Sequence, residues 1–290
     1  MPELPEVETI VRALQNGGRG SPPLIGRVLQ GAELRWQRSL AAPQPDAFLE
    51  KIRLQPVKAV ARRGKFILIH LNQATLLIHL RMSGDLRLEP ATDETGSPVP
   101  PAAHDRVIFH FTDGWRLAFN DPRKFGRVWL ADDPQAVLNG LGPEPLDESL
   151  TAEEFHRRLS RFQRQLKPLL LDQSFIAGLG NIYTDEALHL AGLHPLTPSH
   201  LLSSEDAARL LNAIRTVLQE GIRRNGASID WVYRGGSFQN HFRAYGRSGQ
   251  PCPECGTPIA RRIIGQRSTH FCPACQPLKV APAGGNSSTS

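Results

Sequence analysis

Met1-Pro2-Glu3-Leu4-Pro5-Glu6-Val7-Glu8-Thr9-Ile10-Val11 opens the chain, and its reading decides both the first element of the fold and the chemistry that the rest must serve. Val7, Ile10, Val11 and Leu14 recur at helical spacing and define one apolar face. Pro5 suits the first turn of that helix, and Glu6 and Glu8 favour its positive end. A helix accounts for Pro5 and the residues after it, but not for Pro2 and Glu3. If Met1 is removed, as a small second residue such as proline permits, the terminus becomes a secondary amine beside a carboxylate. A free α-amine titrates near pKa ~7.7–8.0 and a lysine near ~10.4, so the terminal amine has the larger neutral, nucleophilic fraction at neutral pH. Such an amine can attack an electrophilic carbon and form a covalent imine. From a secondary amine the product is an iminium, already charged and a good electron sink.

The 290 residues suffice for two domains or one large one. No apolar run approaches the roughly 18 residues that span a bilayer. The acidic N-terminal stretch lacks the basic-then-apolar pattern of a signal peptide, so a soluble cytoplasmic protein is expected. The net charge of +6 comes from 34 basic and 28 acidic residues. Residues 1–150 balance at 18 of each, whereas residues 151–290 hold 16 basic and 10 acidic. An arginine excess in the second half suits a polyanionic partner, because guanidinium binds phosphate oxygens bidentately; a solvated basic face is the plainer alternative.

Short apolar or alternating runs predict strands over Arg27–Trp36, Lys65–Leu71, Thr75–Leu80, Arg106–Thr112, Trp115–Phe119 and Phe125–Leu130. Turn signals at Asn72-Gln73, Asp113-Gly114 and Asn120-Asp121-Pro122 separate them, which favours an antiparallel sandwich or barrel. Pro90–Pro101 reads as a surface loop. Leu141-Gly142-Pro143-Glu144-Pro145 marks a boundary, after which helices are predicted. Thr151 with Glu154 caps the first. A second lies near Lys167–Phe175 and a third starts around Asn181. Ser203 with Asp206 caps the longest, which Gly226 stops. The division is therefore 1–140, 141–240, a cysteine module over 241–276, and a small polar tail, 277–290, expected to be disordered.

All four cysteines fall in Cys252-x2-Cys255 and Cys272-x2-Cys275. Two such knuckles supply four thiolates to one tetrahedral zinc, and with no position left for water the ion's role is structural. Disulfides are the alternative, disfavoured in a cytoplasmic chain. Between the knuckles, Thr257–Ile264 and Thr269–Phe271 can pair as a hairpin carrying Arg261, Arg262 and Arg267. In Ile176-Ala177-Gly178-Leu179-Gly180-Asn181-Ile182, two glycines before a helix N-terminus suit an anion, with Asn181 as cap or donor. The same glycines would equally serve a plain helix–helix turn. Asp121-Pro122-Arg123-Lys124-Phe125-Gly126 and Arg81-Met82-Ser83-Gly84 place a Phe and a Met on loops, as core plugs or as wedges into a base stack. Arg62-Arg63-Gly64-Lys65 adds a basic cluster at the head of a strand.

These motifs, in this order over residues 2 to about 276, resemble the bacterial formamidopyrimidine-DNA glycosylase family. The resemblance implies an α+β multidomain chain: an N-terminal β-sandwich with a catalytic N-terminal helix, a helix–two-turn–helix domain, and a C-terminal β-hairpin zinc finger. It implies a bifunctional repair enzyme that flips an oxidised purine out of duplex DNA. Pro2 would be the nucleophile at the sugar's anomeric carbon and Glu3 the acid that opens its ring. Lys65 would support the chemistry at the lesion, and Arg267 and Asn181 would hold phosphates. Met82, Arg123 and Phe125 would fill the vacated space. His104, Lys167 and Arg164 match positions that contact DNA. The resemblance further implies one structural zinc, no catalytic metal or organic cofactor, damaged double-stranded DNA as partner, no membrane, and a monomer in the bacterial cytoplasm associated with the nucleoid.

Two departures stand out. Arg81 occupies a place where the family often has glycine, and the basic run before Lys167 is diluted to Arg161-Phe162-Gln163-Arg164. Residues 227–245, with Trp231, Tyr233 and Phe238, cover the segment expected over a flipped base, and no residue is assigned there. The rivals are the sister class acting on oxidised pyrimidines, a non-catalytic zinc-ribbon DNA binder, and a scaffold whose zinc only folds its C-terminus. Leu4 and the Met82/Arg123/Phe125 set favour the purine enzyme.

Overall fold

The N-terminal apolar stripe forms α1 (Leu4–Asn16), with Glu3 as its N-cap and Leu4 and Pro5 in its first turn. Val7, Ile10, Val11 and Leu14 are all at most 3 % exposed and belong to the main core. The computed structural model describes residues 1–228 and 235–279. They group into two compact units, one of residues 1–141 with 219–240 and one of 142–218 with the segment from His241 on. Trp231, Tyr233 and the tail from Val280 lie outside the described residues.

In the first unit, a four-stranded antiparallel sheet has the order β1 (Leu29–Leu34), β7 (Asp105–Phe111), β8 (Trp115–Asn120), β6 (Asp85–Pro90). A five-stranded sheet has the order β2 (Leu40–Ala42), β9 (Arg127–Ala131), β5 (Thr75–His79), β4 (Phe66–His70), β3 (Ala59–Arg63), in which only β2 and β9 run parallel. Period-two alternation divides β4 between two faces. Ile67 and Ile69 join the core with Val107, Phe109, Leu117 and Phe119 of the other sheet, as in a sandwich. Leu68 instead meets Leu77, Trp129 and Leu138 on the outer face, beside α3 (Gln135–Leu138). With both faces covered, every residue of β5 is buried, which is why it reads as a continuous apolar run.

The six predicted strands are all present, with seven of their twelve ends trimmed by one or two residues and three extended by one. Three strands escaped prediction, as did α2 (Pro45–Lys51) and α3. Of these, β6 alternates cleanly as Asp85-Leu86-Arg87-Leu88-Glu89, with Leu86 and Leu88 in the core. The strand expected from Phe125 starts only at Arg127, because Lys124 has a φ of 61° and the Gly126 amide is held by Asp121.

The second unit holds α4 (Ala152–Ser160), α5 (Leu166–Leu170), α6 (Asn181–Leu190) and α7 (Ser204–Arg223), whose last turn from Gln219 groups with the first unit. Thr151 caps α4 by accepting from the Glu154 amide, and Ser203 and Asp206 cap α7 reciprocally. The helix predicted to reach Phe175 stops at Leu170; Asp172 accepts from the Ser174 amide and hydroxyl and turns the chain. Gly180, not Asn181, is the N-cap of α6. β10 (Ala260–Ile264) and β11 (Arg267–Phe271) pair as the expected hairpin, with Gly265 and Gln266 at positive φ in its tip. The compact units depart from the linear division at 140 and 240. Residues 219–228 and 235–240 group with 1–141, where the Ala227 amide is bonded to Glu6, and the finger groups with the helices that precede it. Among the described residues, no helix is long and apolar enough to cross a membrane.

Candidate active site and metal centre

Pro2 is buried and Glu3 is 2 % exposed at the head of α1. The Glu3 amide donates to Glu6 Oε2 at 2.8 Å. The helix lies along β3: Gln15 Nε2 donates to the Val60 carbonyl, and Arg62 pairs with Glu8 at 2.9 Å. Those contacts advance together toward the β3–β4 turn, so the N-terminal end of α1 lies toward Gly64 and Lys65. Lys65 is 5 % exposed there, on a turn that Gly64 makes with a φ of 56°.

His79, which the sequence reading missed, belongs to this neighbourhood. Burial, with the charges of Arg81 and Lys65 adding to it, pushes its imidazole down to about 3. Its Nδ1 accepts from the Arg81 amide at 3.0 Å, so in the neutral ring the proton sits on Nε2, a donor suited to an anion. Arg81 itself adopts a φ of 53°, a left-handed conformation that explains why a glycine would fit at this place and that costs an arginine ~1–2 kcal/mol.

Two loops carry Met82, Arg123 and Phe125, and one buried carboxylate joins them. Asp121, fully buried, accepts from the Ser83 hydroxyl, the Arg123 amide at 3.2 Å and the Gly126 amide at 2.7 Å. A Cβ on Gly126 would meet the Phe119 ring at 2.2 Å, and one on Gly84 would meet the Leu80 carbonyl at 2.5 Å, so both loops need glycine for close approach. Phe125 is 49 % exposed with the Arg123 guanidinium 4.9 Å from its ring centre. It is therefore a projecting aromatic and not a core plug, while Met82 is half-buried. His104 is exposed, and its carbonyl accepts from the Asp121 amide.

In the second unit, Lys167 does not reach the surface. Its ammonium is bonded to Asp185 Oδ1 at 2.6 Å and to the Ser268 carbonyl at 2.9 Å, with the Lys167 and Asp185 side chains at most 1 % exposed. Asp185 also takes the His270 amide at 2.9 Å. Asn181 Nδ2 reaches the same Ser268 carbonyl at 3.0 Å, and its buried Oδ1 has no protein partner among the described residues. Neighbouring Glu186, another residue missed from sequence, accepts the amides of Arg243, Ala244 and Tyr245 at 2.8–2.9 Å. Burial nevertheless holds its carboxyl above the ordinary value. Thus α6 anchors the finger on either side of exposed Arg267. Arg164 is exposed and paired with Asp172 at 2.7 Å.

This network makes a stability prediction. Lys167→Met leaves Asp185 buried without its cation and should destabilise the unit by about 3–5 kcal/mol. Lys167→Met with Asp185→Asn, which keeps an acceptor for the His270 amide, should recover part of that loss. Equal unfolding free energies for the wild type and the single variant would show that the pair contributes nothing.

The sulfurs of Cys252, Cys255, Cys272 and Cys275 all lie within 4.8 Å of one another, with separations of 3.9 Å for Cys252–Cys275 and 3.5 Å for Cys255–Cys272. A tetrahedral zinc with Zn–S near 2.3 Å sets its sulfurs about 3.8 Å apart. Disulfides would need ~2.05 Å, and all four cysteines are free. The thiols titrate unevenly. Hydrogen bonds from Thr257 hold Cys255 down to about 6, while Cys272 is raised by burial and Cys275 chiefly by sharing its proton with Cys255. Four crowded thiolates repel one another, and a dication removes that penalty. The donor set fits one structural zinc, and the Nε2 of buried His189 lies 3.3 Å from Cys252 Sγ as an outer support.

Comparison with known proteins agrees with this layout. Residues 1–128 match the formamidopyrimidine-DNA glycosylase N-terminal domain, residues 141–232 its H2TH domain, and residues 249–278 the zinc finger found in FPG and IleRS. The formamidopyrimidine-DNA glycosylase of Herpetosiphon aurantiacus is 45% identical over 95% of this chain and 100% of its own length. That of Chloroflexus aurantiacus is 46% identical over 95% and 98%. The Lactococcus lactis Fpg bound to DNA containing Fapy-dG has a TM-score of 0.85 and 32% identity, covering 95% of this chain and 100% of that one. A MutM bound to DNA containing carbocyclic 8-oxo-G has the same TM-score at 33% identity, with coverage of 95% and 100%. The fold and site define an α+β protein with a proline-headed helix and a four-cysteine finger. The chain belongs to the formamidopyrimidine-DNA glycosylase family.

Proposed function

We propose that this chain is a bifunctional DNA glycosylase and abasic-site lyase that removes oxidised purines from duplex DNA. The observation that carries this is the terminal pair: Pro2 and Glu3 sit together at the buried head of α1, the end of the helix that lies toward the turn bearing Lys65. The relatives are named for glycosylase activity on formamidopyrimidine DNA, and structural neighbours hold DNA with Fapy-dG, carbocyclic 8-oxo-G or an abasic site.

After loss of Met1, the Pro2 nitrogen attacks the anomeric carbon of a flipped nucleotide, and the glycosidic bond breaks with its electrons leaving on the base. Glu3 protonates the ring oxygen, so the sugar opens and an iminium forms. That cation acidifies the adjacent sugar proton, and successive β- and δ-eliminations release both phosphates. Lys65 and the Nε2–H of His79 face the lesion's phosphate oxygens. Arg267 and Asn181 hold the backbone from the second unit, with His104 and Arg164 as outer contacts. Met82 and Phe125 fill the gap in the stack while Arg123 addresses the unpaired base. Lys167 acts indirectly, by seating the finger. The enzyme works as a cytoplasmic monomer without a catalytic metal or organic cofactor.

Borohydride should trap a covalent complex with duplex DNA containing 8-oxoguanine opposite cytosine, and cleavage of that duplex should outpace cleavage of one carrying thymine glycol. The reverse order would reassign the chain to oxidised pyrimidines. No trapping with zinc-loaded protein lacking Met1 would sink the imine mechanism.

A further inference from the structure

Glu6 closes the capping box of α1, and it also has a partner that its helix does not require. It is 2 % exposed, and its two oxygens serve different parts of the chain. Oε2 takes the Glu3 amide at 2.8 Å, and Oε1 takes the Ala227 amide at 2.7 Å, 221 residues away. Gly226 lies against the same carboxylate with a φ of 79°, and a Cβ there would sit 2.6 Å from Oε1 and 2.8 Å from Cγ. The Gly226 backbone is fixed in turn: its amide donates to the Gly221 carbonyl at 2.7 Å, and its carbonyl accepts from the Phe238 amide at 3.0 Å. Gly236 packs so closely on it that a Cβ would meet the Gly226 carbonyl oxygen at 2.3 Å. A first-turn glutamate on a solvated helix would keep its charge in water. This one is removed from water and shared between two backbone amides.

We infer that Glu6 is a positioning residue for the terminal pair, aimed by a bracket made of Gly226 and Ala227. The Ala227 amide fixes one oxygen of the carboxylate, the other oxygen fixes the Glu3 backbone, and so the direction of the Pro2 nitrogen is set by a segment far away in sequence. Glycine at 226 is needed because any side chain there pushes on the carboxylate. Nucleophilic attack is sensitive to such aim: a misplacement of about 1 Å can cost ~100-fold. This inference rests on the reading of Pro2 as nucleophile.

The test is single-turnover borohydride trapping on abasic-site duplex DNA, with affinity measured separately on DNA holding an unreactive tetrahydrofuran site. Gly226→Ala keeps the Glu6 carboxylate but displaces it. Glu6→Gln keeps its shape but turns one amide acceptor into a donor. Each should trap about tenfold or more slowly, while affinity stays near the wild-type value and each variant melts cooperatively. Trapping at the wild-type rate in both variants would overturn the inference, and so would a loss of affinity matching the loss of trapping, which marks general loosening. If the wild type itself does not trap, it is the reading of Pro2 that has failed.

Discussion

Pro2→Gly is expected to slow strand cleavage at 8-oxoguanine by about a hundredfold or more, equivalent to roughly 2.7 kcal/mol of transition-state stabilisation, while leaving most of the affinity for the damaged duplex. The substitution is chosen because glycine also permits removal of Met1 and keeps a free amine at the same place. What changes is the chemistry of the adduct. The secondary amine of proline gives an iminium that is charged as soon as it forms, whereas a primary amine gives an imine that must first gain a proton to act as an electron sink. Glycine also lacks the pyrrolidine ring that fixes rotation about the N–Cα bond, so the nitrogen lone pair is no longer held in one direction. Affinity is expected to survive because the proposed phosphate and stack contacts of Lys65, Arg267, Met82 and Phe125 are untouched. A companion chain that retains Met1, with the Pro2 nitrogen tied up as an amide, should bind the duplex and fail to trap. Intact mass verifies the terminus in each preparation. Undiminished cleavage by either chain would place the nucleophile elsewhere.

The parts of the molecule that were legible in the sequence are those in which local spacing carries the information. The α1 stripe follows the helical period, the paired Cys-x2-Cys knuckles fix both metal and hairpin, and Ser203 with Asp206 announces the start of α7. The strand β6 was legible too, in the alternation from Asp85 to Glu89, but it lies between the turn at residues 81–84 and the Pro-rich stretch from Pro90 and escaped prediction. The three residues of β2 are too few to show any period. At the site, a DNA contact for Lys167 was implied by the resemblance alone, and its local sequence says nothing of what holds it. Its partners are Asp185, 18 residues on, and the Ser268 carbonyl, 101 residues on. Glu6 read as a charge favouring a helix end, since Ala227 lies 221 residues away. His79 read as part of an apolar strand, and only its burial near Lys65 and Arg81 shows that it stays neutral. Residue types announced the chemistry. The partners that hold those residues in place come from long-range packing, which no local pattern encodes.

Removal of the zinc should abolish cleavage while leaving the first unit folded. Structural zinc supplies about 10–16 kcal/mol in small finger peptides at neutral pH, far more than a hairpin of two short strands can replace. The finger's own core is small: Cys252, Ile259 and Cys272 are its buried members, so the metal ligands are themselves much of what is packed. Without the ion, four crowded thiols must share protons, and the knuckles lose the restraint that sets the hairpin. The bonds from Lys167, Asp185, Asn181 and Glu186 then hold only a tether, and Arg267 is no longer presented from a rigid strand. Cys272→Ser is the sharper variant, because Cys272 is fully buried and its amide is bonded to Gln276. It should carry well under one zinc per chain, lose cleavage by about a hundredfold or more, and lose affinity in step, because the proposed phosphate clamp fails before chemistry begins. This is the opposite split from Pro2→Gly, where chemistry fails and affinity survives. Its unfolding should retain one cooperative transition for the sandwich, whose core shares no residue with the finger. A zinc-free protein that cleaves at the wild-type rate would show that the polar anchors on α6 suffice to seat Arg267 and that the metal is dispensable.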